Sequence, residues 1–138
     1  MQTAEPTAHI NRVRVVCRIA LGIVWFYEGL VPKLLFIRPD QLDLVQRSGL
    51  CAGTPERFLQ WLGVAQVSFA LWLLAGIAER LAVSIATIGM AMLIVLVARN
   101  NPGLLTDPYG ALAKDICLFA CAYVVWFLSR TATRKQPL

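Results

Sequence analysis

Glu28 and Lys33 stand five residues apart inside RIALGIVWFYEGLVPKLLF, the otherwise apolar run from Arg18 to Phe36. An ionisable group at bilayer depth costs at least ~2.5–3.5 kcal/mol on insertion scales, so it needs a partner or a task. Pro32 adds a second irregularity. It has no N–H, so the carbonyl of Glu28, four residues back, loses its helical donor. Lys114 and Asp115 supply two more charges within the run from Gly110 to Leu128, and Gln66 an amide within the run from Phe58 to Ala78. Glu28, Lys33, Lys114 and Asp115 sum to zero charge, as pairing inside a bundle requires. The expected pair is Glu28 with Lys114, which leaves Lys33 to snorkel outward or to meet Asp115. Such a layer has two readings: a pocket for a small polar or redox-active ligand, or a salt-bridged network that only fixes how the helices pair.

The remaining candidates are weaker. Trp25 and Tyr27 neighbour Glu28 and could stack on a ligand; Trp61, Tyr109 and Trp126 fall where interfacial or packing aromatics belong. Cys117 and Cys121 are spaced i,i+4 on one helical face with Lys114 a turn earlier, a geometry open to redox chemistry, although buried cysteine usually acts as a small apolar residue. Cys17 and Cys51 fall towards opposite faces of the membrane. His9 is alone, and no metal-ligand spacing, nucleotide loop or catalytic triad is present, so no metal is expected and no catalytic residue can be named.

The elements that must position these residues are four apolar runs: Val15–Phe36, Phe58–Ala78, Leu81–Ala98 and Gly110–Leu128. Each is about 18–22 residues, or roughly 27–33 Å as a helix, against a hydrocarbon core of about 30 Å. Runs of this length without strict alternation exclude a transmembrane barrel. The fold class expected is all-α, a four-helix transmembrane bundle. Residues 1–14 read as a polar tail, 15–128 as the membrane domain and 129–138 as a basic tail. No A-x-A-like site follows the first run, so it is expected to remain as a span. The first connection, Ile37 to Arg57, has room for a short interfacial helix over Gln41–Arg47. The second is placed at Glu79–Arg80, making the spans on either side adjacent and antiparallel. The third, Arg99–Tyr109, is a cluster of turn residues.

Composition agrees. Of 138 residues 58% are hydrophobic and only 15% charged, more apolar surface than a water-soluble monomer can hide. The net charge of +5 then bears on topology and anionic lipid, and no basic patch interleaved with aromatics points to nucleic acid. Arg12, Arg14 and Arg18 flank the first span, and Arg130, Arg134 and Lys135 the last, which favours both termini on the cytoplasmic side of an inner membrane. At about 1.5 Å per residue, Glu28 and Gln66 then lie roughly 12 Å below the outer rim, and Lys114 and Asp115 some 6–8 Å below it. The inner half is expected to be nearly all apolar. Gly63, Ala65, Ala70, Gly76, Gly89 and Ala91 are the small residues expected at helix contacts.

Three stretches resemble the DoxX-like family of small four-helix membrane proteins. They are R-x6-W-x-Y-E-G-L-V-P-K-L from Arg18 to Leu34, L-G-V-A-Q with L-W-L-L-A-G between Leu62 and Gly76, and N-P-G-L-L-T-D-P-Y-G-x3-K-D from Asn101 to Asp115. Two positions depart from the family pattern, which commonly has Glu where Gln66 stands and Asn where Asp115 stands. The resemblance implies a role near quinone-linked redox or stress metabolism, as an accessory subunit beside a redox enzyme or as a homo-oligomer in the lipid bilayer. A quinone would need donors such as Lys33 or Lys114 for its carbonyls and Trp25 and Tyr27 beside its ring. The full candidate ligand set is Glu28, Lys33, Gln66, Lys114, Asp115, Trp25 and Tyr27. A small proton-coupled transporter centred on Glu28, or a non-catalytic assembly partner, are the alternatives.

Overall fold

Among the described residues of the computed structural model, 5–50, 53–106 and 111–133, there are helices and turns but no strand. The chain runs α1 (Glu5–Leu30), a π-helical segment (Val31–Leu35), α2 (Pro39–Ser48), α3 (Pro55–Ala75), α4 (Glu79–Asn100), a 3-10 turn (Pro102–Leu105) and α5 (Ala111–Thr133). Four of these helices are long and apolar enough to cross a membrane, over Ala8–Leu35, Pro55–Ala75, Glu79–Asn100 and Leu112–Ser129. The four spans, by length and composition, and a short helix within the first connection therefore stand as expected. Cys51, Asp107, Pro108, Tyr109, Gly110, Arg134 and Lys135 lie outside the described residues.

Three boundaries differ from expectation. Residues 5–14 are not a separate tail but the first turns of α1, with Pro6 near its start, where a missing N–H breaks no helical bond. The α3–α4 turn is at Gly76–Ala78 rather than Glu79–Arg80. Gly76 ends α3 in the left-handed conformation (φ 73°) and its N–H bonds the carbonyl of Leu73; Ala78 is also left-handed (φ 50°). A left-handed alanine gives little sign of itself in sequence. At the other end of the chain, α5 runs on past Leu128 to Thr133.

The helices run alternately up and down. α1 is central, packing against α3 and α5, and α5 in turn packs against α4. α3 and α4 touch less, although a short turn joins them; α2 lies against both, anchored by buried Val45. Where α1 meets α3, Gly29 and Gly63 bring the two backbones together. A Cβ placed on Gly63 would stand 2.9 Å from the carbonyl oxygen of Gly29. Without water to drive association, such close backbone approach is how helices gain contact in a bilayer. Gly63, Ala70 and Gly89 are at helix contacts as expected, whereas Ala65 and Ala91 face outward.

Large side chains fill the space between α3 and α4. Trp25 from α1 packs edge-on to Phe69 with ring centroids 5.0 Å apart, and Phe69 to Trp72 at 5.7 Å. The far edge of the Trp25 ring reaches α4 at Gly89, 3.1 Å from where a Cβ would sit. Beneath this layer Leu21, Leu73, Val83, Ala86 and Val125 form a fully enclosed core. Around the outside Ile23, Leu71, Ile88, Met92, Val95 and Ile116 are exposed on their helices. That outward apolar coat is stable only against acyl chains.

Candidate functional site

Pro32 determines the geometry at the end of the bundle away from the termini. With no N–H at that position the helix widens into a π turn, closed by the Phe36 N–H donating to the carbonyl of Val31 at 2.8 Å. The carbonyl of Glu28 still needs a donor, and Lys33 provides it: its Nζ lies 2.8 Å from that oxygen. Lys33 is 7% exposed. It therefore neither snorkels outward nor pairs with Asp115. A flexible four-carbon stem can fold back on its own helix, and an ammonium close to a bare carbonyl gains a charge-assisted hydrogen bond there.

The carboxylate of Glu28 points across to α5. Lys114 Nζ lies 2.6 Å from its Oε1, forming the expected ion pair between the first and last spans. Asp115 is buried at 8% exposure and lies within electrostatic reach of Lys114 and Glu28. Among the described residues nothing hydrogen-bonds its carboxylate. Gln66 lies alongside, its Cβ 3.0 Å from the position a Cβ on Gly29 would take, with no hydrogen bond to the charged groups among the described residues. Glu28, Lys33, Lys114, Asp115 and Gln66 therefore gather at one level. The two aromatics do not join them equally. Trp25 is held in the Phe69–Gly89 packing, and Tyr27 is 57% exposed on the lipid-facing surface.

The opposite end, where the termini lie, carries a second charged cluster at the edges of the apolar runs. Glu79, at the start of α4, accepts from Arg18 of α1 and from the Ser129 hydroxyl of α5 at 3.0 Å, and Arg14 Nε stands 3.5 Å away. Arg18 lies over Gly76, so the glycine that ends α3 also makes room for the guanidinium. Arg80 sits 5.7 Å over the Trp126 ring. Each of these charges stands at the edge of an apolar run, where basic residues read as orientation signals. Their convergence on Glu79 depends on how the helices are turned about their axes. The one hint in the sequence was an acid at the head of the fourth helix facing two arginines a turn apart in the first.

The cysteines pair differently from their spacing. Cys17 of α1 lies against Cys121 of α5 with their thiols interacting, whereas Cys117 faces outward. Neither the surface cavity between α4 and α5 nor the one at the terminal end is lined by the Glu28–Lys114 layer.

The family model for the DoxX-like family matches residues 22–123. That stretch contains the whole Glu28–Lys114 layer, together with Glu79 and Arg80, but not Arg14, Arg18, Trp126 or Ser129. No curated protein and no solved structure matches the chain. With well over half of its length inside that match and four helices fit to cross a bilayer, the chain belongs to the DoxX-like family and is a multi-pass membrane protein.

Proposed function

We propose that this DoxX-like protein is an accessory membrane subunit in quinone-linked redox or stress metabolism, and that its polar layer binds a small ligand bearing carbonyl or hydroxyl groups. Asp115 carries this reading. A carboxylate at 8% exposure that accepts no hydrogen bond among the described residues, and whose oxygens are not sealed from solvent, can take a ligand hydroxyl. Lys33 complements it. An ammonium has three N–H donors, and the Glu28 carbonyl takes up one. A quinone presents carbonyl acceptors to Lys33 and Lys114; its reduced form presents hydroxyl donors to Asp115. The surrounding apolar helices suit the ring and tail of such a molecule.

The same reading places the protein in the inner membrane with both termini cytoplasmic, supported by the arginines that flank the first and last spans. A proton path through Glu28 is less well supported. Between the two polar ends lies a layer of Leu21, Trp25, Phe69, Leu73 and Ala86 that offers nothing to carry a proton.

Mass spectrometry of lipids, quinones and proteins that co-purify in mild detergent tests the proposal. Quinone is expected with the wild type and is expected to be lost from Asp115→Asn and Lys33→Met. Recovery of no quinone from the wild type, with one constant protein partner, would instead identify an assembly partner.

A further inference from the structure

The terminal end of the bundle has a charge surplus and an adjoining apolar groove that the polar layer does not use. Arg14 and Arg18 place two guanidinium groups around the single carboxylate of Glu79, and Arg80 adds a third cation to the wall of the same cavity. Arg18 and Ser129 already occupy that carboxylate, and the Nε atoms of Arg14 and Arg18 are buried without a hydrogen-bond acceptor. An open cavity of about 360 Å³ lies here, lined by Arg14, Ala78, Glu79, Arg80, Leu81 and Ser129.

A second feature runs from it along the lipid-facing surface. Between α4 and α5 lies a groove of about 440 Å³ whose walls include Val83, Ile88, Phe119 and Tyr123. Of its three hydroxyls, two are already engaged: Ser84 Oγ donates to the carbonyl of Arg80 and Thr87 Oγ1 to that of Val83, both at 2.8 Å. The third belongs to Tyr123, and the rest of the groove wall is mostly apolar. Trp126 closes its end nearest the termini, and the Arg80 guanidinium lies over that ring, so the basic cavity and the apolar groove meet at this one stacked pair. Ile88 lies about 12 Å further along α4 than Arg80, at 1.5 Å per residue.

We propose that this end of the protein binds an anionic phospholipid, with the phosphate between Arg14 and Arg80 and one acyl chain lying in the α4–α5 groove. Charge complementarity selects this occupant. Basic pockets between helices at a membrane surface take anionic headgroups, and a diester phosphate supplies an acceptor and a counter-charge to Arg14 and Arg80, which share the cavity with the single carboxylate of Glu79. A second copy of the chain would suit the groove less well. Copies inserted in the same orientation bring basic end to basic end, and like charges repel. A lipid neutralises the surplus and fills the groove with one molecule.

Delipidated protein in detergent, offered three probes and read by native mass spectrometry, tests the site. The probes are phosphatidylglycerol, phosphatidylcholine with the same acyl chains, and deacylated glycerophosphoglycerol. Phosphatidylglycerol is expected to be retained roughly ten- to thirty-fold better than phosphatidylcholine, as two arginine contacts near the surface imply, and the deacylated headgroup not at all. Arg14→Gln with Arg80→Gln should remove the preference between the two lipids, Arg80→Lys should keep most of it, and Ser84→Trp, which fills the groove, should weaken retention of both. Equal retention of the two lipids by the wild type would overturn the proposal without reference to any variant. Binding of the deacylated headgroup as strong as that of the lipid would overturn it in favour of a soluble anion. A dimer that Ser84→Trp converts to monomer would assign the groove to a second copy.

Discussion

The two ends of the bundle each bury charge, but they resolve it in opposite ways. Away from the termini, carboxylates and ammonium groups balance: Glu28 pairs with Lys114, Lys33 satisfies a backbone carbonyl, and Asp115 lies beside them. At the terminal end a single carboxylate holds two arginines from another helix, and a guanidinium cannot be deprotonated in a protein. Loss of Glu79 therefore leaves two fixed charges without their partner, whereas loss of Lys114 leaves one.

Removing Glu79 should accordingly do the most damage. Glu79→Ala leaves Arg14 and Arg18, with side chains only 20% and 16% exposed, facing each other without a counter-charge. A loss of about 3 kcal/mol is expected, read as a lowered unfolding midpoint in detergent. The matching change at the other end is Lys114→Met, for which about 2 kcal/mol is expected because only Glu28 is left without its partner. Adding Glu28→Gln to Lys114→Met should recover part of that loss, and a double-mutant cycle reads the coupling. If Lys114→Met proved as harmful as Glu79→Ala, the contrast between a one-to-one ion pair and a carboxylate shared by two arginines would fail.

Lys33→Met comes next. It strips the Glu28 carbonyl of its donor and should cost about 1 kcal/mol, with hydrogen exchange faster around residues 28–36 than elsewhere. Arg80→Ala should be smallest, about 0.5 kcal/mol, because it removes a cation–π contact at an exposed site and leaves the Glu79 network whole.

These differences track what could be read from the chain alone. Apolar run length located the spans, because bilayer thickness leaves little choice, and an acid and a base at similar depth were enough to pair Glu28 with Lys114. Pro32 identified the carbonyl that would need a donor. It did not show which side chain would supply one, since that depends on the helix widening enough for Lys33 to turn back. The Arg14–Arg18–Glu79 cluster was hidden for a different reason. Its members sit at span edges, where depth alone makes them topology markers, and only the rotation of α1 against α4 brings them together. Rotation likewise sets Cys17 rather than Cys117 beside Cys121, and turns Tyr27 away from the layer next to it in sequence.

The π turn at Val31–Leu35 also acts on the chain beyond it. A π turn accommodates one residue more than an α turn over a similar rise, so each side chain downstream is set back by about 100° from its α-helical azimuth. Shortening the segment by one amino acid would rephase Phe36 and Arg38 and swing the departing loop towards another neighbour. The aim of the α2 hairpin is thus encoded as a surplus residue stored inside the first span.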